Sequence, residues 1–301
     1  MVRTVVAGLD GSPESRAATE WAAREAKLRG TALKIVHVWE PAPDPLAQAP
    51  MLGAETLQHW SERIPRETAE GVALRHPGLE VIAEQRHGSP ADALTKAAEE
   101  AELLVLGSRG LSGVTGFVVG SVGLSVIAHA ETPVVVVRAG EQAADEHEGD
   151  PAGVPSAATP FRPVVLGVDL RGPDDTVAAF AFEEAARRDT SVRVVHGWDL
   201  PPYYAYGIAV DPDFDQSLAR QRDAALGAAL RGWREKYPDV EVAVDSGQGG
   251  AARRLIDASR EASLVVVGRR VRRAAFGAHV GHVTHAVLHH AAAPVAVVAH
   301  H

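Results

Sequence analysis

The sequence predicts an α/β protein made of two tandem parallel-sheet domains, and three observations carry that prediction. The first is an internal repeat. Val5-Val6-Ala7-Gly8-Leu9-Asp10 returns as Val164-Val165-Leu166-Gly167-Val168-Asp169, and Ile35-Val36-His37-Val38-Trp39 as Val194-Val195-His196-Gly197-Trp198. Gly88 answers Gly247; after a shift of two residues, Leu103 to Gly107 answers Leu264 to Gly268, and Pro133-Val134-Val135 answers Pro294-Val295-Ala296. Shared spacing of an Asp-ended run, a His-x-Trp run and a glycine loop marks a duplication. The second observation is the alternation of short β-branched runs with helix-period segments, the pattern of βαβ units. The third is length: 301 residues suffice for two domains that each bury a core.

In the first copy the opening strand is Thr4 to Leu9. A helix follows from Ser12-Pro13, because serine can cap free N–H groups and proline suits the first helical position. Ala18, Trp21, Ala22, Glu25 and Ala26 keep helical spacing, with Arg16–Glu20 and Glu20–Arg24 expected as i,i+4 pairs on the outer face. The second strand is Ala32 to Val38; a Pro-rich stretch then leads to a helix near Ala54 to His76. A strand near Glu80 to Gln85, a helix from Pro90 to Glu100 and the apolar strand Leu103 to Leu106 come next. A glycine loop, a helix near Gly120 to His129 and the strand Val134 to Val137 complete the unit.

Domain one therefore spans 1–140 and domain two 161–301. Between them, 141–160 is rich in Ala, Gly and Pro, carries five acidic residues and has no apolar period, which reads as a solvated, flexible tether. The net charge of −9 argues against nucleic acid or anionic membrane as partner, since both need a basic face. The absence of cysteine excludes disulfides and thiol chemistry. The longest apolar runs are strand-sized and no secretory leader opens the chain, so a cytoplasmic protein is expected.

Ligands of open parallel sheets bind beyond the carboxyl ends of the strands. Three features of copy one converge there. Asp10 ends the first strand, where a carboxylate either accepts from ribose hydroxyls or caps the turn at Gly11-Ser12; its return as Asp169 favours the first role. Val38, ending the second strand, offers backbone groups and an apolar wall to a base. Gly107-Ser108-Arg109-Gly110, nine residues, then Gly120-Ser121 form a glycine loop between a strand and a helix. There Gly107 would let the strand turn sharply, Gly110 would allow positive φ or close approach, and Ser121 would add a hydroxyl to the amide cradle at the helix start. Gly113, Gly116 and Gly123 make the segment more permissive. There is no Gly-Lys-Ser/Thr and no Gly-x-Gly-x-x-Gly after the first strand, which excludes a P-loop and a dinucleotide fingerprint.

Gly-x2-Gly-x9-Gly-Ser before an apolar helix, then Pro-Val-Val-Val-Val, behind an Asp-ended first strand, resembles the ATP-binding class of universal stress proteins. The resemblance covers nearly the whole chain as a tandem pair. It implies two five-stranded parallel sheets of order 3-2-1-4-5, Rossmann-like, with helices on both faces. It also implies an adenine nucleotide (ATP, or AMP, ADP or cAMP, with Mg2+ accompanying ATP). Asp10 would face the ribose and Val38 the adenine. Gly107, Gly110, Gly120 and Ser121 would surround the phosphates, with Ser108 and Arg109 inside the motif. His37 and His129 fall at positions that the family often fills with histidine, and are expected as core or cap residues.

Copy two keeps Asp169, Gly268, Gly277 and Gly281 but has Val271 where Gly110 stood and His282 where Ser121 stood. A β-branched residue resists positive φ, and an imidazole crowds a helix start. Arg269, Arg270, Arg272 and Arg273 either hold phosphate through side chains or form a solvated loop. Site two is expected to be weaker, altered or empty. His279, His282, His285, His289 and His290 concentrate on one helix and its approach, with 282, 285 and 289 on one face; no acidic residue nearby orients them, and no metal site is assigned. His300 and His301 are given no weight.

Asp10 is the only acid in the motif set, and no catalytic residue is assigned. A nucleotide-binding regulator of the stress response with little or no catalysis is expected; the alternatives are a slow ATPase and an interaction scaffold with vestigial binding. The last strands, Val134 to Val137 and Val295 to Val298, are apolar sheet edges, and the expected arrangement pairs them within one chain as a pseudo-dimer, a homodimer being a further option.

Overall fold

Six consecutive residues, Thr4–Leu9, are buried at every position, so β1 is covered on both faces, as a central strand of a parallel sheet must be. The computed structural model describes residues 4–40, 54–110, 117–170, 175–198, 212–271 and 280–301; within these, the side chains of 54–61, 109–110, 117–118 and 212–215 lie outside the description. The chain divides into two compact units: 1–143 with 269–280 and 296–299, and 144–268 with 281–295 and 300–301.

In the first unit β1 runs into α1 (Pro13–Arg29), then β2 (Leu33–Trp39), α2 (Ala54–Arg75), β3 (Val81–His87), α3 (Pro90–Glu99) and β4 (Ala101–Gly107). A short ladder, β5 (Arg109–Gly110) with β6 (Phe117–Val118), precedes α4 (Ser121–His129) and β7 (Val134–Val137). The pairings β3–β2, β2–β1, β1–β4 and β4–β7 are all parallel, which is the expected order 3-2-1-4-5 with β7 as the fifth strand of the sheet. Trp21, Leu33, Ile35, Leu103, Leu104 and Ile127 form the buried centre.

The second sequence repeat has the same element order, with β8 (Val164–Gly167), α5 (Asp175–Arg188), β9 (Val192–Trp198), α6 (Pro212–Lys236), β10 (Val242–Gln248), α7 (Ala251–Ala258), β11 (Leu264–Arg270), α8 (His282–His290) and β12 (Val295–His300). Parallel pairing runs β10–β9, β9–β8 and β8–β11, with β12 next to β11. The last strand enters alike in both: Leu104 N–H donates to Pro133 O at 3.0 Å, and Val265 N–H to Pro294 O at 2.9 Å.

Local chemistry explains the element ends. Ser12 Oγ accepts from Ser15 N at 3.1 Å, the cap expected for α1. Gly30 closes α1 in the left-handed region at φ 63°, where its counterpart Asp189 closes α5 at φ 49°. Each helix also carries a buried internal ion pair, Glu25–Arg29 in α1 and Glu184–Arg188 in α5.

Three expectations change. The true counterpart of Gly88 is Gly249 and not Gly247. Both adopt positive φ, at 109° and 117°, and both donate to the last residue of the second strand, Trp39 O and Trp198 O. The two-residue shift therefore falls before β3 and β10. Glu20 instead accepts from Arg75, the last residue of α2, and bonds to His76 just beyond it, while Arg24 donates to Glu141. The 141–160 segment is not a bare tether. Asp150-Pro151-Ala152-Gly153 forms a tight turn with Gly153 N–H donating to Asp150 O at 2.8 Å, and Asp150 Oδ1 takes the N–H groups of Ala152 and Val154. Bridges Gly149–Pro155 and His147–Phe161 continue the hairpin, and Glu146 and His147 are buried.

Candidate functional site

At the carboxyl end of β1 the chain turns through Gly11 into the cap of α1. Asp10 Oδ1 accepts from Ser12 N–H at 3.0 Å and from the Ser12 hydroxyl at 2.5 Å, while Asp10 N–H donates to Ser15 Oγ at 3.3 Å. Partial burial pushes the Asp10 carboxyl up, but the Ser12 hydroxyl and N–H overcome it, so its pKa lies below the usual value. The turn role weighed for Asp10 is thus present, and the residue remains exposed to solvent. Beside it His37, buried in β2, donates from Nδ1 to Leu9 O at 2.8 Å and holds the end of β1. His196 repeats this bond to Val168 O at 3.0 Å. Both histidines are core residues. His129 instead bonds back from Nδ1 to Ser125 O at 2.7 Å in the last turn of α4.

Val38 is half-buried near the end of β2, opposite Arg86 of β3. Gly107 ends β4, but its lack of a side chain serves close approach and not a turn. A Cβ there would stand 2.5 Å from Glu14 C and 2.7 Å from both Glu14 O and Ser15 N, the backbone of the first turn of α1. Gly107 thereby brings the Asp10 turn against the end of β4. Ser108 donates its N–H to Val137 O at 2.8 Å and is buried, its Oγ without a hydrogen-bond partner among the described residues. Arg109 and Gly110 lie in the β5–β6 ladder, Gly110 opposite Phe117. The Arg109 side chain, Gly113 and Gly116 fall outside the described residues.

Gly120 is the N-cap of α4 at φ −63°, ψ 163°, with no side chain capping the helix; Ser121 is its exposed first residue. The N-cap of α4 therefore offers no side-chain acceptor to the first N–H groups, and no acidic residue lies in that turn, which is an electrostatic setting that favours an anion.

In the second unit Asp169 is exposed just past β8, and Gly281 caps α8 without a side-chain bond, with His282 exposed at its first position. Val271 is half-buried, and Gly277, Arg272, Arg273 and His279 lie outside the described residues. Arg269, which belongs to the first unit, is neither a solvated nor a phosphate-facing residue. It is buried and donates from Nη2 to Ala130 O at 2.6 Å, the C-cap of α4; burial lowers its pKa, with Glu131 opposing. Arg270 is exposed.

Two residues that sequence reasoning passed over stand at Gly268. Thr284, at the position where copy one has Gly123, donates from Oγ1 to Gly268 O at 2.9 Å. The His300 ring lies against Gly268, with Cδ2 and Nε2 both 2.9 Å from where a Cβ would be. The Gly123/Thr284 difference was visible in the aligned repeats; the place of His300 was not. On α8 the rings of His285 and His289 lie 4.3 Å apart, and among the described residues no three His, Cys, Asp or Glu gather to hold a metal ion. No helix among the described residues is long and apolar enough to cross a membrane.

A duplicated parallel α/β sheet, with the same strand order and helix placement in both copies, defines a tandem α/β protein. The family model for the universal stress protein family matches residues 1–138 and again 160–299, and the chain belongs to that family. A universal stress protein of Mycobacterium tuberculosis is 33% identical over 314 aligned positions, covering 97% of this chain and 94% of the relative. One from Mycolicibacterium smegmatis is 32% identical, covering 98% and 96%. Among solved structures, a universal stress protein from Archaeoglobus fulgidus superposes with a TM-score of 0.68 at 17% identity over 98% of both chains, a likeness of fold.

Proposed function

We propose that the first repeat binds an adenine nucleotide, ATP foremost, and that the protein acts as a nucleotide-dependent regulator in the stress response. The observation that carries this reading is the uncapped start of α4 at Gly120-Ser121, following the Gly107-to-Gly110 segment of the same loop. The residues fit the group. The amide cradle and helix dipole suit phosphate, and Gly110 and Ser121 leave room and a hydroxyl. Asp10 offers an exposed carboxylate for ribose hydroxyls, and Val38 an apolar flank for the base. Bound nucleotide would supply a charged phosphate chain whose presence or loss the surrounding loop reports to partners.

The same geometry supports binding over hydrolysis. A carboxyl held below its usual pKa is a weak general base, and Asp10 Oδ1 is already engaged by Ser12. The test is mass spectrometry of the ligand released from purified full-length protein, followed by calorimetry with ATP. One adenine nucleotide per chain is expected, lost in Gly120→Glu and weakened in Asp10→Ala. No released nucleotide together with no heat of binding would leave the scaffold reading standing. Turnover of ATP that Asp10→Ala abolishes would favour the ATPase reading.

A further inference from the structure

α8 differs from its counterpart α4 in the side chains it carries away from the core. Both helices are nine residues long, and both end in histidine. Where α4 has Leu124 and the buried Ala128, α8 has His285, which is exposed, and His289, which is half-buried. Thr284, Val287 and Leu288 form the buried face of α8, so the two histidines lie off the face that packs inward. Four residues apart, they stand one turn from each other on one side of the helix. Their ring centroids are 4.3 Å apart and the planes meet at 46°. Over 274–293 the sequence has no Asp, Glu, Lys or Arg, and its ionisable side chains are five histidines.

We propose that His285 and His289 form a two-imidazole site for a divalent transition-metal ion, Cu2+ foremost, with Ni2+ and Zn2+ bound more weakly. Neutral imidazole suits these ions, and at a given nitrogen site Cu2+ stands highest in the affinity order. Two nitrogens bound to one ion at about 2.0–2.1 Å lie about 3 Å from each other. Rings with centroids 4.3 Å apart reach that separation by turning one edge nitrogen of each toward the other. An imidazole gives one nitrogen to the metal and keeps the other for the hydrogen bond that fixes the ring, so both can coexist on one side chain. His289 lies in the last turn of α8, where the helix dipole favours a cation, and no ammonium or guanidinium in that stretch of sequence opposes it. Among the described residues no third His, Cys, Asp or Glu joins the pair, so water completes the coordination. The site uses no residue of the glycine loop and stands whether or not either repeat takes nucleotide.

The experiment is calorimetry of the full chain with CuCl2, NiCl2 and ZnCl2, beside electron paramagnetic resonance of the Cu2+-loaded protein. His285→Gln, His289→Gln and the double variant test the pair. His290→Gln serves as a control, since its ring is 6.4 Å from His289, and His301→Gln tests the exposed chain end. Melting curves check that every variant folds. The tightest Cu2+ in wild type is expected to show coupling to two imidazole nitrogens. Each single variant of the pair should bind it at least about tenfold more weakly, while the controls stay within about twofold of wild type. A wild-type signal with one imidazole nitrogen or none, or unchanged affinity in either variant of the pair, overturns the site. So does a loss in the controls equal to that in the pair, which would mark adventitious binding by surface histidines.

Discussion

Replacing Gly107 by alanine tests whether the glycine exists for helix–strand contact. The added Cβ would stand 2.5 Å from the carbonyl carbon of Glu14 and 2.7 Å from Glu14 O and Ser15 N. Carbon contacts relax at roughly 3.5 Å, so the first turn of α1 would have to withdraw by about 1 Å. That turn carries the Ser12 cap and the Asp10 bonds, and backbone cannot swing aside as a side chain can. Overpacking costs about 1–3 kcal/mol, and the rigid neighbour puts this case near the upper end. At roughly 2–4 °C per kcal/mol, the melting midpoint of the transition containing the first unit should fall by about 6–12 °C. Differential scanning calorimetry of the full chain measures it, with Gly227→Ala as control, since nothing lies within 4 Å of a Cβ there. A Gly107→Ala protein that melts within 1 °C of wild type, or one that loses stability while the Asp10–Ser12 contacts stay intact by NMR, would refute the reasoning.

Gly227 and Gly232 sit inside α6 with open space around them, so alanine at either should stabilise by about 0.5–1 kcal/mol in urea unfolding. Asp189 holds φ 49° where the first repeat uses Gly30; Asp189→Gly should gain about 0.5 kcal/mol, and Gly30→Ala should lose about 1 kcal/mol, read as shifts of the unfolding midpoint. Glu184→Gln strips the charge from a fully buried pair with Arg188 and should cost about 3 kcal/mol or more, whereas a loss under 1 kcal/mol would show that the pair is not desolvated. Asp10 has a lowered pKa in the folded protein, so its stabilisation is complete above the ordinary carboxylate range near pH 4 and is lost as pH falls through the depressed value. The acid limb of stability against pH should therefore be shallower in Asp10→Asn than in wild type.

Much of the fold was legible because its signals are local. The Asp-ended and His-x-Trp runs, the Ser12-Pro13 cap and the Pro-Val-Val-Val-Val strand each state an element within a few residues, and duplication states them twice. Even the hairpin at 150–153 had its signal in Asp-Pro-Ala-Gly, overlooked beneath a composition that read as tether. The uncapped start of α4 also followed from sequence, since Gly120 has no side chain to offer.

Partners far apart in the chain were another matter. Glu20 reaches Arg75 and His76, far along the chain, with one carboxylate oxygen on each. Gly107 appeared to be a turn residue until the backbone of Glu14 stood against it. Arg269 looked like loop charge and proved to be a buried donor to Ala130 O. By itself the sequence determined the duplicated α/β plan, the candidate phosphate loop and the inequality of its two copies, because periodicity and glycine spacing act over short stretches. Only the tertiary structure decided that a threonine and a distant histidine meet at Gly268, because contact between residues so far apart is set by how the strands and helices pack.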